Sequence, residues 1–166
     1  MYKSILFFIL LPLFFSQIAV ANTASTSLTK MPELQNEASD RFPGDPAEHK
    51  AVYILNKADA DYQLSILNSI QAMIRKYDDN VDIAVVVIGP GLHILAKKPT
   101  RPVAPSTYER IASFAKDYNV RWIACGNTMS SLHWTDADMR PFAEYAEVGA
   151  AALMELQEEG FKLLVW

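Results

Sequence analysis

The sequence predicts a three-layer α/β/α domain built on a mostly parallel sheet, and three observations carry that prediction. From Lys50 onward, short β-branched runs alternate with segments of helical period. The run from Ile83 to Ile88 is continuously apolar, as a strand covered on both faces is. The intervening segments are long enough for helical crossovers, which are right-handed, join parallel strands and place helices on both faces of a sheet. In such a sheet the ligand-binding loops gather at the carboxyl ends of the strands.

Taken in chain order, the first element is not part of the domain. Lys3 gives a positive start, Ile5 to Phe15 is apolar apart from Pro12, and Ala19-Val20-Ala21 offers the small-x-small pattern of a signal peptidase site. Residues 1–21 are therefore expected to be a signal peptide cleaved before Asn22. The rival reading is an uncleaved anchor, although the apolar run is short of the ~20 residues that span a bilayer comfortably. After cleavage no membrane association is expected, and in a Gram-negative host the protein would be periplasmic. Residues 22–48 read as a flexible linker, polar and without apolar period, ending in the turn-prone Phe42-Pro43-Gly44-Asp45-Pro46. The α/β domain is expected over 49–166.

Within it, Ala51 to Leu55 is a short strand. Asp59 or Asp61 caps a helix whose inner stripe is Leu64, Leu67, Ile70, Ile74 and Tyr77, with Gln63, Asn68, Gln71 and Arg75 between them. After the strand Ile83–Ile88, Gly89-Pro90-Gly91 breaks the chain and Leu92 to Lys97 forms a short helix. The proline-rich stretch from Lys98 to Pro105 is a loop. Ser106 and Glu109 have capping-box spacing ahead of a helix that buries Ile111, Phe114, Ala115 and Tyr118. Val120 to Ala124 is the third strand. Thr135 with Asp138 starts a short turn of helix, and Ala143 to Val148 is a weak strand. Ala150 to Gln157 is helical, Gly160 stops it, and Phe161 to Val165 is the last strand.

Composition narrows function. The chain has 166 residues, 15 basic against 19 acidic, and one cysteine. The net charge of −4 disfavours a general nucleic-acid binder. A single cysteine excludes an intrachain disulfide, a Cys-rich zinc site and a dithiol redox motif. That cysteine, Cys125, falls where the third strand ends, in Ala124-Cys125-Gly126-Asn127-Thr128. Gly126 permits a sharp turn, and Asn127, Thr128 or Ser130 could cap a helical segment after it. A thiol at a helix amino end sits in a field that favours thiolate, the nucleophilic form. The alternative is a small buried hydrophobe, since free cysteine is among the most buried residue types.

The stretch Ala124-Cys125-Gly126-Asn127-Thr128-Met129 after a strand resembles the DsrE/DsrF-like family of sulfur-metabolism proteins. Val52-Tyr53-Ile54, Gly89-Pro90-Gly91-Leu92, and Val148-Gly149-Ala150 running on to Gly160-Phe161 agree with it, so the resemblance covers about residues 50–166. It implies a five-stranded parallel sheet, oligomeric assembly, and a cysteine carrying sulfur as a persulfide, a role that falls on Cys125. The chain departs from the family's cytoplasmic carriers in its export signal and in the residues after the cysteine.

His133, eight residues after Cys125, could act as its base or thiolate partner, or simply be a surface histidine beside Trp134. His93 could border the same edge, but a solvated helix position suits it better. The Lys98–Pro105 loop must climb back to the carboxyl edge to start the next helix, which brings Arg101, and with it Lys98, towards the rim. The predicted catalytic pair is thus Cys125 and His133, and the predicted substrate-binding set is Gly126, Asn127, Gly89, Gly91 and Arg101. Gly89 and Gly91 are not a phosphate cradle, because Pro90 lacks an amide donor. No metal and no cofactor is expected; His133, Asp136 and Asp138 make a poor ligand set, since Asp138 is explained by its cap.

Three function classes follow. The first is an exported sulfur-handling protein with Cys125 as persulfide carrier, a transferase at most, working with a sulfur donor or acceptor protein. The second is a non-catalytic oligomeric binding module, and the third a single-cysteine redox sensor. A homo-oligomer is expected from the resemblance and from Trp134, Phe142, Tyr145 and Trp166, too many late aromatics for one small core.

Overall fold

The computed structural model describes Met31, Arg41, Phe42 and residues 44–166. The signal peptide expected at 1–21 and most of the linker expected at 22–48 lie outside the described residues. The compact unit runs from Asp40 to Trp166. Its entry is tied down: Arg41 reaches Asp79 at 2.9 Å, and the Glu48 amide donates to Asn80 Oδ1 at 2.8 Å.

Five strands, β1 (His49–Leu55), β2 (Val81–Val87), β3 (Arg121–Cys125), β4 (Ala143–Ala146) and β5 (Lys162–Leu164), form one sheet. Every pairing is parallel, and the order is β4-β3-β2-β1-β5. The helices are α1 (Ala60–Tyr77), α2 (Pro105–Tyr118), α3 (Gly126–Ser131) and α4 (Gly149–Glu158), with 3-10 segments at Gly89–Leu95 and Asp136–Asp138. From β1 to β4 the chain steps one way across the sheet, so right-handed crossovers put α1 and α2 on one face. The return from β4 to β5 runs the other way and puts α4 on the opposite face.

That winding divides the core unequally. The front face packs Tyr53, Leu55, Val85, Val87 and Trp122 against Ile66, Leu67 and Ile70 of α1 and Ile111 and Phe114 of α2. The back face packs Val52, Ala84, Val86 and Ile123 against Ala152 and Leu156 of α4 and against Phe161.

Local details correct several expectations. Asp59 is the α1 cap, accepting from the Tyr62 amide at 2.8 Å, and this phase turns Leu64 outward, 49% exposed. Gln63 is buried instead, its amide nitrogen donating to the Lys57 carbonyl at 3.2 Å. The Ser106–Glu109 capping box does not form. Pro105, whose fixed φ suits a first helical position, makes Ala104 the cap and draws Ser106 inside the helix. The Thr135–Asp138 box does form. Of the late aromatics, Trp134 and Phe142 pack on the front core, while Tyr145 and Trp166 stay exposed, the latter against Tyr53 at 5.4 Å.

Candidate functional site around Cys125

The carboxyl edge of the sheet brings three chain reversals together: the turn after β2, the β3–α3 junction, and the start of α4. Cys125 ends β3 with extended φ/ψ of −78° and 116°, and α3 begins at the next residue. The side chain, 6% exposed, faces the back of the sheet, as Ile123 does.

There the Gly149 amide, the first of α4, donates to Cys125 Sγ at 3.3 Å. This approach requires glycine. A Cβ at position 149 would come within 2.9 Å of Cys125 Cβ and 2.7 Å of Ile88 Cγ2. The α4 start is held by the amide of Asn127, which donates to the Glu147 carbonyl at 3.1 Å. Gly126 is pinned in a similar way, with the Tyr145 ring packed where its side chain would go.

Burial pushes the Cys125 thiol pKa up, but the surrounding donors outweigh it and the net direction is down. The donors are the Thr128 amide and hydroxyl and the Gly149 and Asn127 amides. Only Gly149 makes a geometrically sound hydrogen bond to sulfur. The Asn127 amide is committed to Glu147, so it acts on the sulfur as a nearby dipole, as does the Thr128 amide one residue on. The Thr128 hydroxyl accepts from the Gly89 amide at 2.9 Å, which ties the turn after β2 to the start of α3.

Thr128 also lines a cleft of about 360 Å³ together with Gly89, Pro90, His93, Arg101, Asn127, Ser131 and Leu132. The structure thus brings Gly89, Asn127 and Arg101 of the sequence-predicted set into one concavity, whose wall includes Thr128 but not Cys125 itself. Gly126 lies at the junction itself. Gly91 does not line the cleft; it is buried against the Leu55 backbone, where a side chain would collide. His133 is exposed, in left-handed backbone at φ 56°, and does not line the cleft. Lys98 is absent from the lining too.

Sequence reasoning missed His93. It is 2% exposed rather than solvated, with its ring edge-on to Trp134 at 5.0 Å and its Nδ1 without a partner. Burial, reinforced by Arg101, lowers its pKa and so favours the neutral imidazole. Its apolar neighbours Leu92, Ile94 and Leu95 are all buried, and that run was the available signal. Gly149 and Thr128 were visible only as parts of longer motifs. Among the described residues, no group of three or more His, Cys, Asp and Glu is arranged to hold a metal.

A thiol whose pKa is lowered at the meeting of two helix starts, beside a glycine turn, is the environment in which nucleophilic cysteines are found. The model of the DsrE/DsrF-like family matches residues 49–166. This chain belongs to the DsrE/DsrF-like family. Membership points to a role related to sulfur metabolism. Among solved structures, a protein of unknown function from Methanobacterium thermoautotrophicum is similar, with TM-score 0.64 and 17% identity. The alignment covers 72% of this chain and 100% of that one, a likeness that establishes the α/β fold. No curated protein matches the sequence.

Proposed function

We propose that this DsrE/DsrF-like protein is an exported sulfur carrier in which Cys125 accepts a sulfane sulfur and holds it as a persulfide. The observation that carries the reading is the Gly149 amide on Sγ, because a donor fixed at the sulfur stabilises the anion that must attack. The Cys125 thiolate attacks the outer sulfur of a persulfide donor. The bond between the donor's two sulfurs breaks, its electrons leave with the inner sulfur as thiolate, and the proton stays on the transferred sulfur. No oxidant is needed. A second thiol, on an acceptor protein or small molecule, takes the sulfur on by the same exchange.

Export by residues 1–21 would place this exchange in the periplasm of a Gram-negative host. Self-association is part of the proposal: Tyr145, Val148, Met154, Leu163, Val165 and Trp166 are exposed apolar side chains that an oligomer would cover.

Intact-mass spectrometry after incubation with a persulfide donor tests the reading. One added sulfur, removed by reductant and missing in Cys125→Ser, is the expected result. An accessible thiol that takes up no sulfur would overturn it. One observation favours a second reading, a binding module with a structural cysteine: Cys125 is nearly inaccessible. Native thiol titration separates the two, since a structural Cys125 would react only after unfolding.

A further inference from the structure

We infer that the cleft beside Cys125 recognises a small carboxylate-bearing persulfide, with the carboxylate on Arg101 and the sulfane sulfur directed past Thr128 to Cys125. The inference rests on the carrier reading above and names its substrate class. At about 360 Å³, the cleft falls in the range of small-molecule sites, roughly 300–1,000 Å³. Its one charged lining residue is Arg101, in a protein of net charge −4. Among the described residues Arg101 has no ion-pair partner, so its planar fork of donors is open to a carboxylate.

His93 is the second, independent pointer to a ligand. It lines the same cleft, almost wholly buried, and its Nδ1 bonds to nothing. Buried ring nitrogens are normally satisfied, and one left open at a cleft wall is explained by a partner that arrives with the ligand. The neutral imidazole adds no charge, so the cleft offers one positive charge to one carboxylate. Pro90 and Leu132 supply apolar wall for a short carbon chain, and Thr128, which lines the same cleft, is also among the groups that act on the Cys125 thiol.

The persulfide of N-acetylcysteine and that of its uncharged amide form a matched pair of donors. With the purified protein, the carboxylate donor should add sulfur at least about tenfold faster, as a charge-assisted hydrogen bond predicts. Arg101→Gln should bring that ratio within about twofold of unity. Equal rates in the unaltered protein, or a preference that survives Arg101→Gln, would overturn the inference. A second measurement works without sulfur transfer: S-methyl-N-acetylcysteine titrated into Cys125→Ser should shift the His93 imidazole resonances, and should fail to do so once Arg101→Gln is added. Binding of this probe without an adduct from any donor would remove the carrier reading and leave the anion site standing. Sulfur uptake without probe binding would do the reverse.

Discussion

The two faces of the sheet are built to different standards. On the front, α1, α2 and the Gly89–Leu95 segment bury a continuous core in which Tyr53, Val85, Val87 and Trp122 are fully enclosed. On the back, only α4 and Phe161 cover the carboxyl half of the strands. The amino half is left to a row of charges, Lys50, Asp82, Arg121 and Glu144, on neighbouring strands. Arg121 closes a two-pronged ion pair on Glu144 at 2.8 and 3.0 Å. Cys125 belongs to the thinner face. Stability is concentrated where packing is deep, and the Cys125 sulfur sits where one helix start and one glycine define its surroundings.

The largest effect that would test this contrast is on the front. Trp122→Ala should cost about 3–5 kcal/mol in urea unfolding, while Ile123→Val, the next residue on the opposite face, should cost about 0.5–1.5 kcal/mol. A comparable loss at both positions would erase the distinction. Gly149→Ala comes next, at about 1–3 kcal/mol, because the new methyl group must displace Ile88 or Cys125. The same change moves the amide off the sulfur, so the thiol pKa, read from the pH dependence of alkylation, should rise.

A smaller effect concerns pH. The folded thiol pKa is depressed, so the native state releases its proton before the unfolded state does. Unfolding then takes up a proton, and stability gained from this group grows with pH above the folded value. It is complete above the unfolded thiol value of about 8.5, and lost again as pH falls through the folded one. Stability of the unaltered protein minus that of Cys125→Ser should therefore rise across that window; a flat difference would contradict the lowered pKa. The smallest expected effect is at His133. His133→Ala should leave sulfur uptake within about twofold of the unaltered rate, whereas His93→Ala, which opens the cleft wall, should slow it.

Much of this was legible in the sequence because the strands are short, β-branched and separated by periodic helices. The five strands and the place of Cys125 at the end of β3 follow from that pattern, as does the return of the Arg101 loop to the carboxyl edge. What escaped was set by three-dimensional phase. Leu64 and Gln63 exchange environments because one cap residue, Asp59 rather than Asp61, fixes the rotation of α1. The two histidines were weighed by distance along the chain, which favoured His133. Burial depends on how the 3-10 segment is roofed by α2 and Trp134, and that is not encoded in spacing. Gly149 could not be tied to the cysteine locally, since the contact joins residues 24 apart through a crossover.

The return crossover also has a consequence for timing. β1 keeps one edge open until Lys162–Leu164, the last strand of the sheet in chain order, pair with it. Contacts so distant in sequence close late, because loop entropy must be met before they form. The Gly149 amide arrives on this last leg. An incompletely folded chain thus presents Cys125 with an ordinary thiol pKa and mostly protonated at neutral pH, slow to react with stray disulfides. The lowered thiol pKa is thus a property of the completed fold, because the Gly149 amide that helps to hold it down reaches the sulfur only on that last leg.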